Sequence, residues 1–182
     1  LDVRQIWRND RFGRGGDHTE FLNAGFPAVR LTVAVEDYDH QHQDLRVEKG
    51  TKFGDTADEM DFAYLAKVTK LNTAALAWLA SAPPPPEPVV EGAVSTDMVI
   101  RFRPNPQAAH YWVRWRRTDG SQWEKREFAV ARPHGEVKSC LNPATGVCEV
   151  RLRGVRVDDW VFGVSAAHQR GFESPVASAV PG

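Results

Sequence analysis

Four consecutive prolines, Pro83 to Pro86, with Pro88 close behind, interrupt the chain in SAPPPPEPVV. Proline lacks a backbone N–H and holds φ fixed, so no helix runs through such a tract. The tract favours an extended, semi-rigid spacer. The expected organisation is therefore residues 1–82, a spacer at 83–88, and residues 89–182. The pattern before the spacer is mixed α/β, and the pattern after it is all β.

With 182 residues, the chain can hold one large domain or two small ones, each with a core. Hydrophobic residues make up 42%, charged residues 26%, and the formal net charge is −1. The basic residues are balanced by acids along the chain, which argues against a nucleic-acid partner. No apolar stretch is long enough for a membrane-spanning helix. The chain opens with Leu1 and shows no signal peptide, so a processed chain or a fragment is expected.

In the first part, GDHTEFLNAG reads as a short helix with Asp17 as N-cap and Gly25 as its stop. FPAVRLTVAV, residues 26–35, is a β-branched apolar run that predicts a largely buried strand. A long helix is expected from a Thr56/Glu59 capping box to the prolines, with Phe62, Leu65, Val68, Leu71, Ala75, Leu76 and Leu79 at helical spacing. One strand and two helices make too little core for an open α/β sheet, and a lone strand leaves its edge groups unpaired. This part looks incomplete.

In the second part, DMVIRFRP, HYWVRWRRT, WEKREFAVA, CEVRLRGV and DWVFGVSAAH read as strands, with a turn at 118–120. YWVRWR alternates, with Tyr111, Val113 and Trp115 on one face and Trp112, Arg114 and Arg116 on the other. So many short strands predict a β-sandwich. Cys140 and Cys148 flank a loop with Asn142, Pro143 and Gly146, a spacing that suits a disulfide closing a hairpin-like loop, with two buried thiols as the alternative. A zinc knuckle would need two more ligands, and only His134 is near. A disulfide would imply an oxidising compartment.

The run DWVFGVSAAHQRGFESPVASAV, with Trp160, Phe162, Val164, Ala166, Gly171, Ser174 and Pro175, resembles the last two strands of a fibronectin type III domain. That resemblance covers residues 89–180. It implies a fibronectin type III-like sandwich that binds, spaces or stabilises rather than catalyses. Trp160 stands where the family carries tyrosine.

The segment DYDHQHQDLR, residues 37–46, concentrates His40, His42 and several aspartates. Imidazole is the commonest neutral metal ligand, and carboxylates often orient it. On an extended segment His40 and His42 would point the same way. A solvated loop without a task is the plainer reading of those residues alone. Their context adds an ordered series: Asp17, His18 and Phe21, then Gly25 and Pro27, then His40 with Asp44, then GD and a long helix. Over residues 8–82 this series resembles the C-terminal part of the co-catalytic zinc peptidases of metallopeptidase family twenty-eight. That group includes secreted aminopeptidases, carboxypeptidases and glutaminyl cyclases.

The resemblance implies the C-terminal portion of a zinc-peptidase αβα sandwich, secreted or periplasmic, acting on peptide substrates with two zinc ions. It makes His40 a metal ligand, with His42 as the alternative, and Asp17, His18 and Asp44 residues that support the site. Gly16 replaces the serine that many members carry. The first histidine, the bridging aspartate, the glutamate base and another acidic ligand are expected upstream of Leu1. No catalytic residue is therefore expected within this chain, and alone it is expected to be inactive. Glu36, Asp37, Asp39, Asp58, Glu59 and Asp61 read as structural acids, the last three as the first turn of a helix. A rival reading is an extracellular binding or adhesion module. Its working surface would be Trp112, Trp115 and Trp123 with Arg114, Arg116 and Arg117, facing a glycan or a protein.

Overall fold

The computed structural model describes residues 1–4, 6, 15–133 and 136–182. It divides into two compact units, Leu1–Thr69 and Lys70–Gly182.

The first unit begins with helix α1, His18–Asn23, which Asp17 precedes as N-cap residue without a side-chain capping bond. Gly25 ends it at φ +85°, a left-handed conformation open to glycine, while Phe26 N–H bonds back to the Phe21 carbonyl at 2.9 Å. Strands β1 (Arg46–Glu48) and β2 (Thr51–Phe53) form an antiparallel hairpin. Its two-residue turn is Lys49-Gly50, both with positive φ, as a type I′ turn requires. Helix α2 spans Phe62–Ser81.

Two expectations for this region need correction. Residues 26–35 form no strand, and their apolar side chains lie open: Val29 is 81% and Val35 88% exposed. A strand meant for burial needs hydrogen-bonding neighbours and covering layers, and the described residues provide none. The long helix also starts later than the Thr56/Glu59 pair implies. Residues Ala57–Glu59 form a single 3₁₀ turn, Thr56 makes no capping bond through its side chain, and α2 begins at Phe62. Asp61 caps it instead, its carboxylate accepting the Tyr64 N–H at 2.9 Å. Lys52 draws Glu59 away, with its ammonium 2.7 Å from the carboxylate. The apolar stripe of α2 buries no residue.

The second unit holds two sheets around one core. One has strand order β10-β9-β5-β6, where β5 is His110–Arg117, β6 Lys125–Ala129, β9 Trp160–Ala167 and β10 Ala177–Ser178. The other has order β11-β3-β4-β8-β7, where β3 is Val89–Glu91, β4 Met98–Phe102, β7 Leu141–Asn142, β8 Val147–Leu152 and β11 Val180–Pro181. All pairings are antiparallel except β11 with β3. Met98, Ile100 and Phe102 of β4, Tyr111 and Val113 of β5, Val150 and Leu152 of β8, and Phe162, Val164 and Ala166 of β9 form the common core. This is the arrangement of a β-sandwich.

The alternation read from β5 holds, with Tyr111 and Val113 fully buried and Trp112 and Arg114 on the opposite face. Tyr111 keeps its hydroxyl satisfied by accepting the Asn105 N–H at 2.7 Å and donating to the Asn105 carbonyl at 3.2 Å. Cys140 and Cys148 are joined by a disulfide across the β7–β8 hairpin. Pro83, Pro86 and Pro88 are buried, so the proline tract is packed rather than loose. Trp78 of α2 donates its indole N–H to the Glu173 carbonyl at 3.1 Å and meets the Phe172 ring edge-on. No helix among the described residues is long and apolar enough to cross a membrane.

Candidate metal-binding loop

The His-rich segment is wound by its first aspartate. The Asp37 carboxylate accepts the Asp39 N–H at 3.0 Å, and the Asp37 carbonyl accepts the Gln41 N–H at 3.2 Å. An aspartate that bonds its own backbone two residues on makes a turn, not a strand. His40 and His42 are therefore not side by side on an extended segment, as their spacing alone suggested. His40 is half-buried, with 26% of its side chain exposed, whereas His42 is open to solvent at φ +58°.

The second oxygen of the same carboxylate stands 3.1 Å from His40 Nδ1. That contact orients the ring and leaves Nε2 as the nitrogen able to act as a ligand. The loop is held from the far side by Gly54, whose N–H donates to the Asp39 carbonyl at 3.2 Å. Gly54 has φ +95°, and a Cβ there would lie 2.6 Å from Leu45 Cδ2 and 3.1 Å from the Gln43 carbonyl oxygen. Only glycine lets the hairpin pass so close beneath the loop. Asp44 is exposed and holds Arg46 through its carbonyl at 3.3 Å.

Around the start of α1, Asp17 is exposed and His18 half-buried. A Cβ on Gly16 would lie 3.1 Å from His18 Nδ1, so glycine at 16 gives that ring its room. Arg30 donates to the Gly15 carbonyl at 2.9 Å and pairs with Glu36 at 3.5 Å. Glu36 also accepts the Thr32 hydroxyl at 2.6 Å, and its side chain is 8% exposed. The Arg30–Glu36 pair and the Asp37–His40 pair were not legible as partnerships in the sequence. The only signals were a lone arginine within an apolar run and an aspartate three residues before a histidine.

Further along, Lys52 holds Asp58 at 3.0 Å and Glu59 at 2.7 Å. The Thr56 hydroxyl and Lys52 lower the Asp58 carboxyl to about 2. These acids are occupied structurally and carry no sign of a proton-accepting role. Arg8 to Arg14, part of the segment carrying the peptidase resemblance, and His134 lie outside the described residues. Among the described residues no three His, Cys, Asp or Glu side chains gather closely enough to hold a metal ion. The donor chemistry of His40, an imidazole braced by a carboxylate, fits one zinc ligand. The described residues do not close a site around it.

On the sandwich, the surface named in the rival reading divides. Trp115 packs against the core. Trp112 faces out beside Phe128 and His110, with the Arg126 guanidinium 4.3 Å above its ring. Trp123, in the β5–β6 loop, lies over Gly163 of β9.

No protein-family model matches the chain. Curated relatives do. The chain is 39% identical, over its whole length, to a probable zinc metalloprotease of Leptosphaeria maculans, 37% to one of Pyrenophora tritici-repentis, and 36% to one of Pyricularia oryzae. It spans 39%, 35% and 35% of those proteins respectively, so the relatives it matches are more than twice as long. Over its whole length the chain is thus similar to part of a group of fungal proteins named probable zinc metalloprotease.

Proposed function

We propose that this chain is the C-terminal part of a secreted, zinc-dependent exopeptidase of the aminopeptidase type, contributing one metal ligand and a β-sandwich. The observation that carries the reading is the match, across the whole chain, to proteins named probable zinc metalloprotease. The carboxylate-braced His40 supports it from the chemistry of the loop. The disulfide supports an oxidising compartment.

In this reading His40 offers Nε2 to the metal, and Asp37, against Nδ1, fixes the orientation of the ring. Gly54 and the β1–β2 hairpin fix the height of the loop. Asp17 and His18 stand as supporting residues at the start of α1, and Asp44 anchors the far end of the loop. Bound zinc would polarise the scissile carbonyl and acidify a water. The remaining ligands and the glutamate base belong to polypeptide outside this chain, so the chain alone is inactive. The exposed segment 26–35 is, in the same reading, a strand whose sheet partners lie in that polypeptide.

The test uses the longer parent polypeptide. His40→Ala lowers bound zinc and hydrolysis of a leucine anilide by orders of magnitude, and His42→Ala leaves both near wild type. Unchanged zinc content and activity in the His40→Ala protein would overturn the assignment. Loss in His42→Ala alone would transfer the role to His42.

A further inference from the structure

The outer face of the β10-β9-β5-β6 sheet carries a cavity of about 260 Å³ lined by Arg114, Trp123, Glu124, Lys125 and Arg126. Arg114 and Arg126 stand opposite each other in the β5–β6 register and share this face with Glu124, whereas Lys125, opposite the core-packed Trp115, alternates to the other face. The carboxylate is already occupied, since Glu124 accepts the Arg117 backbone N–H at 3.0 Å. Arg114 is held in place by Glu173, 2.6 Å from its Nη2, and Glu173 in turn accepts the Ser165 hydroxyl at 2.5 Å. With its side chain only 17% exposed, Arg114 still has Nε buried without a hydrogen-bond partner. Its charge is paired, and one guanidinium N–H is left without a partner.

The aromatic wall is built rather than incidental. Trp123 sits so near Gly163 that a Cβ there would lie 2.9 Å from its Cη2, and Arg116 lies 5.6 Å from the same ring. Beyond Arg126 the surface turns aromatic, through Trp112 and Phe128, whose centroids are 5.2 Å apart.

We propose that this cavity is a binding site for an acidic polypeptide segment, taking an Asp or Glu side chain against Arg114 and Arg126 and a neighbouring apolar side chain against Trp112 and Phe128. Apart from Glu124, its charged groups only donate, which matches a carboxylate whose oxygens only accept. A sugar ring brings many hydroxyl donors that such a lining leaves unpaired. A sulfated polysaccharide wants a long cationic track, whereas the cations here form one cluster with aromatic neighbours. Trp and Arg side by side are also the residues that dominate polypeptide interfaces.

The probes are a blocked Glu-Phe-Glu-Leu peptide, its Gln-Phe-Gln-Leu counterpart and heparin, titrated by calorimetry against the full chain. The acidic peptide is expected to bind saturably and to weaken as salt rises. Arg126→Ala, at an exposed position, weakens it about tenfold, the change that one well-placed ion pair produces. Trp123→Ala, which removes the ring itself, weakens it as well, and Arg103→Ala, outside the cavity, leaves it unchanged. Denaturation midpoints show that the variants fold. Equal binding of the two peptides, wild-type affinity in Arg126→Ala, or heparin binding that depends on Arg126 while the peptide's does not, would each overturn the proposal.

Discussion

The unit Leu1–Thr69 and the unit Lys70–Gly182 draw on the same kinds of apolar residue and use them oppositely. In the second, Met98, Ile100, Phe102, Tyr111, Val113 and Val164 disappear from solvent. In the first, Gly54 is the one described residue that is buried, while Phe21, Phe26, Val29, Val35 and Phe62 stand in water. The sandwich supplies both faces of its own core, because two sheets from one stretch of chain can close on each other. The first unit has a short helix, a hairpin and the start of a long helix, and none of these covers another's apolar face. What holds it is polar and local: the Lys52 cluster, the Asp37 turn and the Arg30–Glu36 pair. Burial, not composition, makes a core.

The contrast is broken most severely in the sandwich. Phe102, 2% exposed and packed at 4.7 Å against the Tyr111 ring, should cost about 3–5 kcal/mol when changed to alanine. Val35→Ala, at a residue 88% exposed, should leave stability unchanged. Urea unfolding followed by tryptophan fluorescence measures the first, and hydrogen exchange over residues 15–69 reads the second. A large loss from Val35→Ala would mean that the first unit has a core after all. Next, removing the disulfide by Cys140→Ser with Cys148→Ser should lower sandwich stability by about 2 kcal/mol, through the freed unfolded chain, and leave exchange in the first unit as it was.

A smaller effect sharpens the picture of the loop. Gly54→Ala places a Cβ 2.6 Å from Leu45 Cδ2 at a left-handed φ, a local cost of about 1–2 kcal/mol. It should raise exchange and proteolysis across residues 37–48 while the sandwich melts as before. Smallest is the acid response of Asp58. Its folded carboxyl titrates at about 2, against 3.8 ordinarily, so the stabilisation is fully present above 3.8 and fades as pH falls through 2. Lys52→Ala should bring the Asp58 carboxyl back toward its ordinary value, as NMR titration of its side chain would show.

The legible part of the fold was the part governed by short-range periodicity. The alternation in YWVRWR gave the inward and outward faces of β5, and the spacing from Phe62 to Leu79 marked a long helix. What misled was competition between nearby polar groups. Thr56 and Glu59 carry the pattern of a capping box, but Lys52 captures Glu59 and Asp61 does the capping. Lys49-Gly50, a two-residue turn signal, marked a hairpin that the reading passed over. In the candidate site the histidines were conspicuous, yet their unequal burial depends on the turn that Asp37 winds, which spacing on an extended chain misrepresents.

By itself the sequence determined where helices end and strands alternate, because proline geometry and the periods of 2 and 3.6 act within a few residues. It also carried the ordered series from Asp17 to Asp44. Tertiary structure alone decided that the 26–35 run pairs with no strand among the described residues, that Trp123 closes over Gly163, and that Asp37 is the group facing His40. Each of these turns on which surfaces meet, and a buried contact draws its energy from partners that no local pattern names.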